Sequence, residues 1–315
     1  MYDVIIVGCG IAGMTAAIYL RRANKKVLIL EKETIGGQIS SSPLVENYPG
    51  YQAISGSELS NNIYEQVENL GVDLELEEVL KIEDGKIKKV ITDSNTYETK
   101  AVIIATGAKY RRLGLKNEEE LIGNGIHFCV ACDGAFYKDK KVAVIGGGNS
   151  AIVNAITLAD IAKEVYIIQD LEKLTSEESL TNKIMSKENV KFFYNSKVKE
   201  LIGDDNLKEI IIKTKDKEKS IKVDGMFISI GLIPESKLAE GLLETNKYNY
   251  IMSDNCKTKV KGIFVAGDCR DKMIRQLTVA ASDGTTAALE AIDYLNKCSQ
   301  KWLYFLFKNI IIGIE

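Results

Sequence analysis

With 315 residues, 45% of them hydrophobic and 27% charged, the chain has the length for about two domains and the composition of an ordinary globular protein. Its 41 basic and 44 acidic residues leave a net charge of −3, which gives no electrostatic case for a nucleic-acid partner or an anionic membrane surface. Six cysteines are too few and too scattered for a disulfide scaffold, so a reducing, cytoplasmic setting is expected.

The N-terminus runs straight into an apolar strand, Val4 to Val7, with no basic segment before it and no cleavage site after it, so no secretory signal is expected. The strand leads into Gly8-Cys9-Gly10-Ile11-Ala12-Gly13, a helix to about Ala23, a second strand from Val27 to Leu30, and Glu31. This is a dinucleotide-binding fingerprint in its full context. Gly8 makes the tight turn, Gly10 lets the backbone approach a pyrophosphate, and Gly13 lets helix and strand pack closely. The helix N-terminus faces the phosphate, and Glu31 is placed to accept ribose hydroxyls. Next comes a short apolar strand, Ala101 to Ile104, closed by Ala105-Thr106-Gly107, where backbone can meet a cofactor.

Cys129-Val130-Ala131-Cys132-Asp133 follows. Two thiols two residues apart can close a small disulfide or form half of a zinc site. Cys9, Cys256, Cys269 and Cys298 stand alone, and the only histidine, His127, is too close to complete a second ligand pair. A redox dithiol without metal is therefore expected. Such a pair needs a proton donor for the departing thiolate, and Asp133 is the adjacent acid; its alternative role is to cap or turn the chain. His127 is expected to serve packing or to lie at the surface.

Just beyond the pair the first design repeats. A strand (Val142 to Ile145) leads into Gly146-Gly147-Gly148-Asn149-Ser150-Ala151, a helix to about Ala162, a strand from Val165 to Ile168, and Asp170. From third small residue to acid the spacing is 18 in the first copy (13 to 31) and 19 in the second (151 to 170). Two copies in context imply FAD in one and a nicotinamide nucleotide in the other. Gly262-Ile263-Phe264-Val265-Ala266-Gly267-Asp268 repeats the short closed strand near the C-terminus, with an acid at its end. The expected fold class is thus α/β, two Rossmann-like dinucleotide-binding domains with the second inserted into the first. The FAD domain is expected over 1–113 and 243–315, and the nicotinamide-nucleotide domain, carrying the cysteine pair, over 114–242. The tail 302–314 is strongly apolar but is broken by Lys308 and Asn309 and falls short of the ~20 residues of a membrane span. It is expected to pack on the body or at a subunit contact, ahead of a peripheral membrane anchor.

Phe128-Cys129-Val130-Ala131-Cys132-Asp133-Gly134-Ala135-Phe136, with Lys141 to Ala151 behind it, resembles the low-molecular-weight, bacterial-type thioredoxin reductases. So do Gly36-Gly37-Gln38, Glu46-Asn47-Tyr48-Pro49-Gly50, Ala105-Thr106-Gly107-Ala108, Gly267-Asp268 and Arg275-Gln276. The resemblance covers nearly the whole chain except the tail. It implies a homodimer, and FAD held by the first fingerprint with Gly37, Gln38, Asn47, Ala105, Thr106, Gly107, Asp268, Arg275, Gln276 and Leu277. It implies electron flow from a reduced nicotinamide nucleotide at Gly146, Gly148, Asn149, Ser150, Ala151 and Asp170, through FAD and the dithiol, to thioredoxin. Cys132 would be the sulfur beside the flavin and Cys129 the one that attacks thioredoxin. Linkers near 113 and 243 would act as hinges of a rotating nucleotide domain.

The nucleotide domain departs from the pattern. Where the family usually has His-Arg-Arg and a further Arg for the 2′-phosphate of NADPH, the chain reads Gln169-Asp170-Leu171-Glu172-Lys173-Leu174-Thr175-Ser176. Val153 and Asn154 replace the family's usual Glu pair. NADH is therefore expected over NADPH. The departures also leave open a ferredoxin-linked reductase, a dithiol oxidase using oxygen, a reductase serving a peroxiredoxin system, or a flavin-bound sensor that does not turn over.

Overall fold

The computed structural model describes residues 1–312 except Pro43 and Asp216, and the side chains of these residues except Ser41 and 299–312. Its contacts divide the chain into two compact units, Met1–Lys109 with Ile233–Glu315, and Tyr110–Leu232.

The first unit is built on a seven-stranded sheet. Strands Asp73–Glu75, Val27–Leu30, Tyr2–Val7 and Thr96–Ile104 lie side by side in parallel. Strand Thr96–Ile104 serves two neighbours along one edge. Its polar first half pairs antiparallel with Lys88–Thr92, and its apolar second half pairs parallel with Ile263–Val265. Because both faces of the parallel part are covered, its strands read as continuous apolar runs rather than alternating ones. Val4, Ile6, Val27, Ile29, Ala101 and Ile103 pack under helices Ile11–Arg22 and Leu277–Ile312. Ile5, Val7, Leu28, Leu30, Val102 and Ile104 pack on the opposite face with Ala239 and Ile251. The two helices approach through Gly284, where a Cβ would stand 2.2 Å from the Ala12 carbonyl oxygen.

The second unit holds a five-stranded sheet in the order Val190–Phe193, Glu164–Ile168, Lys141–Ile145, Gly225–Ile228, Ile126–His127, parallel throughout. Helix Asn149–Ala159 covers Val142, Val144, Val165 and Ile167. A three-stranded antiparallel sheet, Ser196–Gly203, Leu207–Thr214 and Lys217–Lys222, covers Ala143, Ile145, Tyr166 and Ile168. The mixed α/β fold with two Rossmann-like halves is as the sequence leads one to expect.

The division falls at Lys109/Tyr110 and Leu232/Ile233, whereas the sequence places the junctions at 113/114 and 242/243. The second difference has a packing cause. The short turn Lys237–Ala239 inserts the buried Ala239, with Leu238, Leu242 and Leu243 around it, into the core beneath Ile5 and Val7. Among the described residues no helix is long and apolar enough to cross a membrane. Helix Leu277–Ile312 carries the backbone through most of the tail 302–314, but the packing of that tail's side chains lies outside the described residues.

Candidate functional site

The two glycine loops are near copies of each other. Gly8 and Gly146 have φ of +108° and +121°, a region that favours glycine, and each touches the end of a neighbouring strand. A Cβ on Gly8 would meet the Ala105 oxygen at 2.4 Å, and one on Gly146 would meet the Ser229 oxygen at 2.6 Å. Gly13 is closed in by the Gly8 oxygen at 2.0 Å, and Ala151 is fully buried. Gly10 and Gly148 differ in kind. A Cβ on Gly10 would find only the Gly36 oxygen at 3.9 Å, and one on Gly148 only Thr175 Oγ1 at 3.8 Å. Each is the N-cap of its helix, with no side-chain cap bond. The protein's own packing therefore explains the first and third small residues but not the second. Open space before uncapped helix N–H groups is what an approaching pyrophosphate requires.

Around the first loop the fold gathers most of the residues expected at FAD. Ala105 floors Gly8, and Gly36 donates its N–H to the Cys9 oxygen at 2.8 Å. The space beside Gly37 ends on Gly10 Cα, and that beside Gly267 ends on Ala12. Glu31 accepts the Cys9 N–H at 2.7 Å on one carboxylate oxygen and the Glu33 N–H at 2.9 Å on the other. The expected ribose acid thus already ties loop to strand end. Thr106 donates its hydroxyl to the Glu235 oxygen, and Gly107 closes the turn. Gln38 lies in the turn Gly37–Ser41, and Asn47 is exposed in the loop closed by the Val45–Ile54 bridge. Gln276 and Leu277 start the long helix, and the Arg275 guanidinium stacks over Tyr250 at 4.1 Å.

A buried charge network that the sequence did not reveal supports Gly267-Asp268. Asp283 accepts from Arg270 Nε and Nη2, each at 3.0 Å, from Lys272 Nζ at 3.0 Å, and from the Gly267 N–H at 3.1 Å. Lys272 Nζ also stands 2.9 Å from Asp268 Oδ1, as an ion pair without hydrogen-bond geometry. Asp268 Oδ1 and Arg275 Nε are buried polar atoms without a hydrogen bond in the protein. Together with the open face of Gly10, these atoms fit a dinucleotide cofactor with hydroxyl and phosphate groups.

At the second loop, Asn149 and Glu177 grip each other. Asn149 Nδ2 donates to Glu177 Oε1 at 2.9 Å, and the Glu177 N–H donates to Asn149 Oδ1 at 2.8 Å. The Thr175 N–H donates to the Gly147 oxygen at 2.8 Å, so the segment after strand Glu164–Ile168 is latched beside the loop. Gln169 is buried against Gly147, and its Nε2 donates to the Lys173 oxygen at 3.2 Å. Asp170 and Glu172 are exposed, as is Ser150 in the first helical turn. Asn154 Nδ2 donates to Ser229 Oγ at 3.0 Å, joining the helix to the end of strand Gly225–Ile228.

Cys129 and Cys132 form a disulfide, with Cα atoms 5.2 Å apart, across the single turn Val130–Asp133. Asp133, at the end of that turn, lies with Oδ2 3.2 Å from His127 Nδ1, and His127 Nε2 is 2.6 Å from the Tyr137 hydroxyl. His127 is packed, as expected, against Phe227 and Tyr137, but it also engages the acid beside the cysteines. No local spacing rule would have found this arrangement.

A model described as pyridine nucleotide-disulphide oxidoreductase matches residues 2–284. A Clostridium pasteurianum protein described as a 34.2 kDa protein in the rubredoxin operon is 42% identical over 301 residues, covering 93% of this chain and 97% of that one. The thioredoxin reductase of Bacillus subtilis is 41% identical over 306 residues, covering 95% and 96%. The crystal structure of thioredoxin reductase from Streptococcus pyogenes superposes with a TM-score of 0.91 at 39% identity, covering 94% of this chain and 99% of that one. The matched family implies FAD and a pyridine nucleotide as cofactors. With paired glycine loops and the Cys129–Cys132 disulfide inside the matched span, the chain belongs to the pyridine nucleotide-disulphide oxidoreductases, among the bacterial-type thioredoxin reductases, and is a flavoenzyme of that kind.

Proposed function

We propose that this protein passes electrons from NADH through FAD and the Cys129–Cys132 pair to thioredoxin or a thioredoxin-like protein, as a homodimer. The observation that carries the proposal is the Cys129–Cys132 disulfide, with Asp133 next in the chain and its carboxyl 3.2 Å from His127. FAD, when bound, supplies the two-electron link between a pyridine nucleotide and a disulfide. Gly10 and the uncapped N-terminus of helix Ile11–Arg22 would receive its pyrophosphate at the loop shaped by Gly8 and Gly13, with Asp268 and Arg275 offering their buried polar atoms.

In the dithiol half of the reaction the Cys129 thiolate attacks a sulfur of the target disulfide. A new S–S bond forms, the old one breaks, and the departing sulfur takes the proton carried by Asp133. Cys132 then gives its proton to the Asp133 carboxylate and attacks Cys129. The second target sulfur leaves with that proton, and the Cys129–Cys132 disulfide is restored.

The choice of NADH rests on charge. No arginine stands between Gln169 and Ser176, and Asp170 and Glu172 are exposed just past the strand end where a 2′-phosphate would lie. A like charge at ~4 Å in an effective dielectric of 20 costs about 4 kcal/mol before screening. Solvent and salt reduce this to roughly tenfold or more in affinity against NADPH. The comparisons lend a ferredoxin donor no support. An anaerobic titration with NADH, NADPH and reduced ferredoxin in turn, following flavin bleaching, tests the donor. NADH should bleach at concentrations at least about tenfold below NADPH. Equal potency of the two nucleotides, or bleaching by ferredoxin alone, would overturn the donor assignment. In the same preparation Cys132→Ser should trap thioredoxin as a mixed disulfide on Cys129; trapping by Cys129→Ser instead would reverse the two roles.

A further inference from the structure

His127 and Tyr137 stand outside the motifs that identify the family, yet they form one buried chain with Asp133. The chain is assembled from three places in the fold: strand Ile126–His127, the turn Val130–Asp133, and the turn Gly134–Tyr137. His127 is 7% exposed and Tyr137 6%. Phe227, fully buried and in register with His127 on the neighbouring strand, packs against both rings at 5.4 Å. Room for Tyr137 is left by Gly225, where a Cβ would stand 2.2 Å from the tyrosine ring.

The hydrogen bond between Tyr137 and His127 has a direction. Burial pushes the Tyr137 phenol up to about 12, helped by the charges of Asp133 and Asp224, so at neutral pH it keeps its proton. A protonated phenol can donate to Nε2 of a neutral imidazole, which places the ring proton on Nδ1, facing Asp133 Oδ2. One carboxyl oxygen then lies 3.2 Å from the ring nitrogen, a close polar contact without hydrogen-bond geometry, and the other is left to exchange a proton.

We propose that His127, its tautomer set by Tyr137, is the positioning residue that holds the Asp133 carboxyl in the orientation needed to deliver a proton to the departing sulfur in dithiol–disulfide exchange. The proposal rests on the reading of Asp133 as the proton donor. The imidazole gains and loses no proton in the step. Its Nδ1 faces Oδ2 at 3.2 Å while Oδ1 carries the proton that leaves, and the dipole of the ring N–H stabilises the carboxylate that remains. A rotating carboxyl would spend most of its time aimed away from the sulfur, so loss of the holder should slow turnover without weakening encounter with the target.

The test uses the FAD-bound protein reduced with dithionite, freed of excess reductant, and mixed with varied concentrations of an oxidised bacterial thioredoxin. Thioredoxin thiols formed in a single turnover are counted after an acid quench. His127→Phe keeps the ring packing and removes both the hydrogen bond to Tyr137 and the polar contact with Asp133. It should lower the maximal rate roughly tenfold or more while leaving the half-saturating thioredoxin concentration within about twofold. His127→Asn, which keeps an N–H donor near the Nδ1 position, should recover most of the loss, and Tyr137→Phe should give a smaller loss than His127→Phe. Asp133→Asn added to His127→Phe should cost little more than Asp133→Asn alone, because the two act as a unit. Independent, multiplying losses, or a His127→Asn variant as slow as His127→Phe in a protein with full flavin content, would overturn the proposal. The same set is run with hydroxyethyl disulfide in place of thioredoxin. Coupling seen there with no turnover of thioredoxin by the wild type would sink the partner reading and leave the positioning role standing. Additivity there would sink the positioning role alone.

Discussion

Asp283 is a residue whose loss the structure makes costly, although it lies outside the recognised motifs. Its carboxylate holds four donors: Arg270 Nε and Nη2 at 3.0 Å each, Lys272 Nζ at 3.0 Å, and the Gly267 N–H at 3.1 Å. The side chains of Asp283, Arg270 and Lys272 are 7%, 18% and 6% exposed, so water cannot simply replace the missing acceptor. Asp283→Ala leaves Lys272 with Asp268 at 2.9 Å and Arg270 with Ser253 Oγ at 3.3 Å. Removing one partner of a buried ion pair costs about 3–5 kcal/mol, and the remaining contacts keep the expected loss near the middle of that range, about 4 kcal/mol. At about 2–4 °C per kcal/mol for a unit of this size, the melting temperature should fall by roughly 8–16 °C. Asp283→Asn retains the shape and one acceptor and should lose about half as much. The assay is thermal unfolding by circular dichroism on flavin-free protein, so that lost cofactor binding does not contribute. In parallel, flavin retention should also drop, because Gly267-Asp268 loses its support. A flavin-free Asp283→Ala protein melting within about 2 °C of the wild type would refute the reasoning, since about 4 kcal/mol could not then reside in the network.

Two further outcomes are expected. Gly10→Ala should fold with a flavin-free melting temperature near that of the wild type, because its Cβ meets only the Gly36 oxygen at 3.9 Å, yet bind FAD at least about tenfold more weakly. Gly13→Ala should destabilise the flavin-free protein itself, its Cβ being 2.0 Å from the Gly8 oxygen; wild-type FAD affinity in Gly10→Ala, read by absorbance after gel filtration, would remove the pyrophosphate from that loop. Burial, aided by Glu31 at Cys9 and by Asp283 at Cys256, pushes both thiols from 9.0 up to about 12. Their contribution to stability is therefore whole below about pH 9 and is lost as pH rises towards about 12, the unfolded state ionising first. Iodoacetamide at pH 8 should spare both in the folded protein and modify the exposed Cys298; rapid native alkylation of Cys9 would contradict its burial.

The strands and glycine loops of this protein are legible in its sequence because their causes are local. A strand buried on both faces must be apolar without interruption, as Val4 to Val7, Val102 to Ile104 and Val142 to Ile145 are. A tight turn followed by a close helix contact is settled within six residues, which is why Gly8, Gly10 and Gly13 announce themselves and reappear as Gly146, Gly148 and Ala151. The Cys129–Cys132 pair is equally local, since two residues of spacing already bring the sulfurs within bonding reach. Other features depend on which distant residues are brought together. Glu31 was legible as an acid at a strand end, but its tie to Cys9 across the loop was not. The ten residues from 233 to 242 look like the end of the inserted domain until Ala239 is seen buried beneath Ile5 and Val7. His127 reads as a packing residue from its neighbours in the chain, and Asp283 as one polar residue in a long helix. Their polar atoms find partners only through the packing of separate elements, because burial leaves a polar group no water and obliges it to bond with whatever the fold places beside it.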